Sequence, residues 1–227
     1  GIYTHRYDNN MNYNIYGTEP EGAASMKYSL QTNKLVTLEN IDTFVDGASV
    51  KTVGDLTYDI CKKNEAEIFP ISNGRVCNEM IALYQEDGII AEPAGALSIC
   101  GLDYLDADSI VNKNVVCVLS GGNNDMLRYP EILDKNMRYL KLKHYFIINF
   151  KQQDGELKIY MEKVLPKGTD ITRFEYIKKN NKNAGSVLLG IELDHPNKID
   201  LFRENMKHYN FEYMEINEND LLYSFLI

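Results

Sequence analysis

The chain has 227 residues, a length for one large domain or two smaller ones, and its 44% hydrophobic and 25% charged content is that of an ordinary globular protein. Its 24 Lys and Arg against 33 Asp and Glu leave a net charge of −9, which argues against a nucleic acid partner. No apolar run approaches the roughly 20 residues that cross a bilayer, and the four cysteines show no C-x-x-C spacing, so the expectation is a cytoplasmic protein with reduced thiols and no membrane segment. His5, His144, His195 and His208 are dispersed without metal-ligand spacing, and no metal is implied.

In chain order, Ile15 to Pro20 reads as a strand running into a loop. Glu21 to Thr32 has helical spacing, broken at Asn33, and an irregular stretch follows through Val50. Asp55 to Asn64 predicts a helix, Glu67 to Ile71 a strand, and Arg75 to Glu86 a helix whose apolar face carries Val76, Met80, Ile81 and Tyr84. Pro93 opens a small-residue helix that runs on through Leu105. Asn114 to Leu119 is a β-branched apolar run, the pattern of a strand buried on both faces. Met126 to Lys141 then reads as a charged amphipathic helix.

Beyond it the pattern shortens, which places a domain boundary between residues 143 and 144. A strand at Tyr145 to Phe150, a helix at Gly155 to Leu165, strands at Ile171 to Tyr176 and Ser186 to Leu193 around a polar turn from Lys178 to Gly185, a helix at Asn197 to His208 and a strand at Phe211 to Glu215 give βαββαβ. That order is the ferredoxin-like arrangement of two split βαβ units on one antiparallel sheet. The alternation before residue 143 is that of a parallel-sheet α/β domain.

Ligands of open α/β sheets sit beyond the carboxyl ends of strands, so Ser120, followed by Gly121 and Gly122 after the apolar run, is the first site candidate. Its glycines let backbone approach a ligand and its hydroxyl both donates and accepts, although a plain strand-to-loop turn explains the same residues. Glu92 stands at a helix entrance, where it caps the helix or faces a pocket. Gly54, at the head of another helix, exposes N–H groups to an anion or marks a turn.

Taken together, Gly17 to Ala23, Phe44 to Val50, Ala91 to Ala96 and Val118 to Asn123 resemble, in order and spacing, the biosynthetic threonine dehydratases. His144 to Phe150 and Thr172 to Tyr176 are similar to the single ACT-like regulatory domain of the family's shorter members. The resemblance implies a fold type II pyridoxal-phosphate enzyme over residues 1–143 and an ACT-like α+β domain over 144–227. It implies conversion of threonine to 2-oxobutanoate and ammonia, the first step of isoleucine biosynthesis, with pyridoxal 5'-phosphate as cofactor and a homo-oligomeric intact enzyme. Ser120 and Gly121 would lie at the cofactor ring, with Glu92 and Gly54 on the ring or substrate side, and isoleucine is the implied effector.

In that family a lysine in an early Ser-Phe-Lys segment forms the Schiff base and a glycine-rich loop holds the phosphate; neither occurs in these 227 residues. The expectation is therefore a C-terminal part that begins just past the phosphate loop, lacks a signal peptide and is inactive alone. The alternative is a non-catalytic module that binds an amino acid or pairs with another subunit. Gln153-Asp154-Gly155-Glu156 also departs from the family, which usually has a proline before that glycine.

Overall fold

The computed structural model describes residues 1–177 and 184–227, so positions 178–183 of the expected polar turn lie outside the described residues. Two compact units divide the chain, Gly1–Asn136 and Met137–Ile227.

In the first unit, helix α1 (Ile2–Asp8) is followed by β1 (Tyr16–Pro20), a short 3-10 turn and α2 (Ser25–Thr32). The Glu19 carboxylate accepts from the backbone N–H of Met26 at 2.9 Å and of Lys27 at 2.8 Å, satisfying orphan donors in the first turn of α2. Burial pushes that carboxyl up, and the two N–H groups oppose the rise. Asn33 ends α2 in the left-handed region. Helix α3 (Asp55–Lys63) leads to β2 (Glu67–Ile71), which pairs parallel with β1 from Tyr16 opposite Glu67 to Pro20 opposite Ile71.

Helix α4 (Asn73–Asp87) starts where Ser72 Oγ accepts from Arg75 N–H, and it stops at Gly88, whose φ of +68° suits glycine. It buries Val76, Cys77, Met80 and Leu83, whereas Tyr84, expected on that face, is exposed. Helix α5 (Pro93–Cys100) begins with proline and buries Gly95, Ala96, Leu97 and Cys100. These small residues let it approach α4 closely, and Phe44, Val45, Phe69 and Ile71 complete the core. The expected continuation to Leu105 tightens into a 3-10 turn, Gly101–Tyr104. Helix α6 (Ala107–Ile110) is a single turn, and α7 (Tyr129–Tyr139) follows a 3-10 turn at Met126–Arg128.

The predicted strand at Asn114 to Leu119 does not form. Those residues carry no regular structure, and Val115, Val116, Val118 and Leu119 are exposed, Val116 at 84%. A strand buried on both faces needs ladder neighbours and cover above and below. The sheet of this unit has only β1 and β2 among the described residues, and they pair with each other. All four cysteines were expected in the core, and Cys77 and Cys100 are buried there, whereas Cys61 and Cys117 are half-buried.

In the second unit, β3 (Lys143–Lys151), α8 (Glu156–Ile159), β4 (Thr169–Ile177), β5 (Ala184–Leu193), α9 (Lys198–His208) and β6 (Glu212–Glu215) follow the expected βαββαβ order. The antiparallel sheet has the order β4-β5-β3-β6. Period-2 alternation sends Phe146, Ile148, Phe150, Val187, Leu189 and Ile191 to one face, where α9 adds Ile199, Phe202 and Met206. The expected helix at Gly155 to Leu165 is instead one α-turn that widens into a π-helical turn, Tyr160–Val164. Tyr160 packs there between Phe150 and Phe211, with ring centroids 4.9 and 5.2 Å away. Burial pushes its phenol well up, and its hydroxyl has no hydrogen-bond partner among the described residues.

Alternation puts Tyr145 on the other face of the sheet, where its ring lies across Gly190, its register partner. A final helix, α10 (Asp220–Leu226), which the sequence pattern did not signal, sets Tyr223 edge-on to Tyr145 at 5.6 Å. The Arg138 guanidinium stands 4.2 Å from the Tyr223 ring, and Arg173 donates to the Leu226 carbonyl.

Candidate functional site

The entrance of α5 is the centre of the site. Glu92 is its N-cap residue, extended at φ −77° and ψ 164°, and its side chain makes no cap hydrogen bond. The Glu92 backbone N–H donates instead to Gly121 O at 3.1 Å. Further along the helix, Ser98 Oγ donates to Val118 O at 2.9 Å. These two bonds fasten the irregular segment 118–121 along the start of α5 although no strand ladder holds it.

Glycine makes that approach possible. A Cβ at Gly121 would run into the Glu92 carboxylate, and one at Gly95 would run into the backbone of Gly121. At Gly122 it would stand 2.8 Å from Ile90 O. Gly47 reaches the same spot from the loop after Val45, since a Cβ there would lie 2.9 Å from Ala94 Cβ and 3.6 Å from Glu92 Oε1. Of the four residues singled out from sequence, Glu92, Ser120 and Gly121 are thus brought together.

Ser120 is exposed beside this junction, and its hydroxyl makes no hydrogen bond among the described residues. Gly54 is not part of the cluster. It is the N-cap residue of α3, its carbonyl accepts from Thr57 Oγ1 at 2.7 Å, and Thr57 is all that a Cβ there would meet.

Sequence reasoning did not single out Gly47, Gly95 or Asn124. Asn124 holds both polar atoms of its side-chain amide buried and unpartnered among the described residues. For Gly47 and Gly95 the available signal was a small residue flanked by small residues at an element's entrance, as in Asp46-Gly47-Ala48 and Pro93-Ala94-Gly95-Ala96. An anchor for the Gly47 loop is also present: Arg128 donates to Phe44 O at 2.6 Å and lies 4.9 Å from the centre of the Phe44 ring.

Among the described residues no group of three metal-ligating side chains assembles, and no helix of the described residues is long and apolar enough to cross a membrane. Residues 1–121 match a family model described as pyridoxal-phosphate dependent enzyme. The chain belongs to that family. Residues 136–226 match a second model, described as the C-terminal regulatory domain of threonine dehydratase.

Relatives agree with both matches. A biosynthetic L-threonine dehydratase of Halalkalibacterium halodurans is 47% identical over 213 residues, which is 94% of this chain and 51% of that protein. One from Staphylococcus aureus strain N315 is 47% identical over 215 residues, covering 94% and 50%. The chain spans about half the length of these curated relatives. Among solved structures, the processed form of threonine deaminase isoform 2 from Solanum lycopersicum is similar with a TM-score of 0.53 and 30% identity, over 59% of this chain and 39% of that one. A fungal L-serine ammonia-lyase from Rhizomucor miehei shares the fold, with a TM-score of 0.51 and 14% identity over 60% and 46%.

Proposed function

We propose that this chain carries one wall of the cofactor site, in a catalytic part reaching residue 143, and from residue 144 the regulatory domain of a threonine dehydratase. In that reading the complete enzyme is a cytoplasmic homo-oligomer that converts threonine to 2-oxobutanoate and ammonia. The observation that carries it is the junction of Glu92, Gly47 and Gly121 beside the free hydroxyl of Ser120, inside the span that matches the pyridoxal-phosphate family.

The residues fit one edge of the cofactor. Glycine at 121 and 47 lets the Glu92 carboxylate and Ala94 close up into a tight wall, and Ser120 offers a neutral donor and acceptor for a ring nitrogen. Pyridoxal phosphate supplies an electron sink for the carbanion left at the substrate's α-carbon. Ser120 Oγ would hydrogen-bond the ring nitrogen without holding a proton on it, as a carboxylate would, and this favours loss of the β-hydroxyl over transamination. Glu92 would close the wall: its backbone N–H fixes Gly121, and its carboxylate lies against the same glycine. Gly54 keeps only its role as a helix cap in this reading, since nothing ties it to the junction.

The regulatory unit would take a small amino acid, isoleucine being the expected effector, and reciprocal coupling of about 1–3 kcal/mol suffices for control. Isothermal calorimetry of the chain with isoleucine and with valine tests this, and absence of heat for both counts against it.

The activity is tested by joining the chain behind the part of the Halalkalibacterium relative that it does not span. The joined protein should release 2-oxobutanoate from threonine, and the 227-residue chain alone should not. Within the joined protein, Ser120→Ala removes one hydrogen bond worth about 0.5–1.5 kcal/mol, a weakening of cofactor binding of about two- to tenfold. Ser120→Asp should reduce turnover further. Parent-like affinity and turnover in both variants would remove Ser120 from the ring nitrogen.

A further inference from the structure

Gly47 faces Ala94 and the Glu92 carboxylate so closely that a Cβ would overlap them, yet among the described residues no hydrogen bond joins it to either. What keeps the loop there lies elsewhere. The loop is braced from within: Ser49 Oγ lies 2.9 Å from Asp42 O and 2.8 Å from Val45 O, sharing its one proton between them. Ala48 N–H donates to Val45 O at 3.0 Å, and Phe44 N–H donates to Asp42 Oδ1 at 2.8 Å. At Asp42 the braced loop is tied outward, to Gly22 O through its own N–H and to Asn73 Nδ2 of α4 at 2.6 Å.

Toward the site the tie is Arg128. Its Nη2 donates to Phe44 O at 2.6 Å, its guanidinium stands 4.9 Å from the centre of the Phe44 ring, and its Nη1 lies 3.6 Å from the Asp46 carboxylate. Lys135 also stands by that ring, at 4.8 Å, but its ammonium pairs with Glu131. Arg128 is itself set by the site segment. Asp125 Oδ1 accepts from Leu127 N–H at 2.9 Å, Asp125 O accepts from Arg128 N–H at 3.0 Å, and Asn124 N–H donates to Gly122 O at 3.0 Å. From Gly121 to Arg128 the chain is therefore a run of tight turns, whose start the Glu92 N–H holds. The contacts close a ring: Glu92 to Gly121, along the chain to Arg128, across to Phe44, and from Gly47 back against Glu92.

We propose that Arg128 is a positioning residue of the site, which locks the Gly47 loop against Glu92 so that Gly47 and Ser120 keep a fixed separation. Without it the loop pivots at Asp42, since local opening of an irregular segment does not require the core to unfold. A planar guanidinium can bond a carbonyl and lie by a ring at once, whereas an ammonium is a point charge that does one or the other. The lock rests on these contacts, and its bearing on the cofactor rests on the function proposed above.

The test compares Arg128→Met, which keeps the apolar stem, and Arg128→Lys with the parent 227-residue chain. In the parent, the nuclear Overhauser contact between the Gly47 α-protons and the Ala94 methyl should be strong. It should be lost in Arg128→Met and weakened in Arg128→Lys, while amide signals of α4 and α5 stay where the parent has them. In the joined protein, titration with pyridoxal phosphate followed by absorbance should show affinity about tenfold lower for Arg128→Met, with partial rescue by Arg128→Lys. Should Arg128→Met fail to fold, Arg128→Lys makes the same comparison.

A full Ala94 contact in the variants that fold overturns the proposal. So does a shift of the α4 and α5 signals along with the loop, which would make Arg128 a general support of the unit. Loss of the contact with parent-like cofactor affinity overturns it as well. A parent joined protein that takes up no cofactor overturns the function proposed above, and the Ala94 contact alone then judges the lock.

Discussion

A methyl group added at Gly95 puts strain directly on the junction between α5 and segment 118–122. Its Cβ would stand 3.1 Å from Gly121 N and 3.2 Å from Gly121 C, and closer still to Gly121 O. All three are backbone atoms, so no side-chain rotation relieves the overlap. Either the helix or the segment must retreat, and the bond from Glu92 N–H to Gly121 O opens with it. Overpacking of this kind costs about 1–3 kcal/mol, and the lost hydrogen bond about 0.5–1.5 kcal/mol more. Alanine in place of glycine returns at most about 1 kcal/mol of helix propensity. The expected net loss is about 1–3 kcal/mol, a fall in Tm of about 3–10 °C for a unit of this size.

Gly121→Ala is the control. There the added atom meets the tip of the Glu92 side chain, which can swing aside, so stability should change by no more than about 0.5 kcal/mol. Scanning calorimetry of the chain and both variants decides the matter. A Gly95→Ala protein melting within about one degree of the parent, or a Gly121→Ala protein falling as far as Gly95→Ala, would refute the close approach described.

Two further outcomes are expected in the second unit. Burial pushes the Glu215 carboxyl up, but hydrogen bonds from His144 at 2.7 Å and Arg203 at 2.7 Å outweigh it and hold the group below its ordinary range. Its contribution to stability is therefore complete above the ordinary glutamate value of about 4.3 and is lost as pH falls through the lower folded-state value. Urea midpoints should drop in that acidic window, and Glu215→Gln should flatten the drop; an unchanged pH profile counts against the cluster. Tyr160→Phe removes a buried hydroxyl that has no partner among the described residues, so stability should rise by about 1 kcal/mol or more. A lower urea midpoint in that variant would show that the hydroxyl is satisfied.

What the sequence disclosed follows from how local each signal is. The strand Glu67 to Ile71 and the helices on either side of it were legible because alternation, capping and glycine stops lie within a few residues of one another. The βαββαβ unit was legible for the same reason, down to the order of its elements. Residues 114–119 misled because a β-branched run reports what a segment would bury, and the neighbours that bury it are a property of the assembled sheet. Helix α10 was missed for a related cause: it is held by Tyr223 against Tyr145 and by Arg138 and Arg173, contacts from far along the chain. At the site, Glu92, Ser120 and Gly121 stood out by type and position, whereas Gly47 joins them only through folding. Gly54 showed the same outward sign, a glycine at a helix entrance, without the neighbours.

The wide turn at Tyr160–Val164 has a bearing on which changes of chain length this domain can tolerate. Leu165 N–H reaches back five residues to Tyr160 O at 3.2 Å, so the turn contains one residue more than an α-helix would use. Removing Glu162 would let the helix close in α-register with Val164 three places after Tyr160, still on the same side. A single deletion between Ile199 and Phe202 in α9 has no such slack, because it would leave the two residues two places apart and turn one of them away from the sheet. Homologues differing by one residue between β3 and β4 are therefore expected to keep this core, and the spare residue sits where an ancestral insertion could be accepted or erased without rebuilding it.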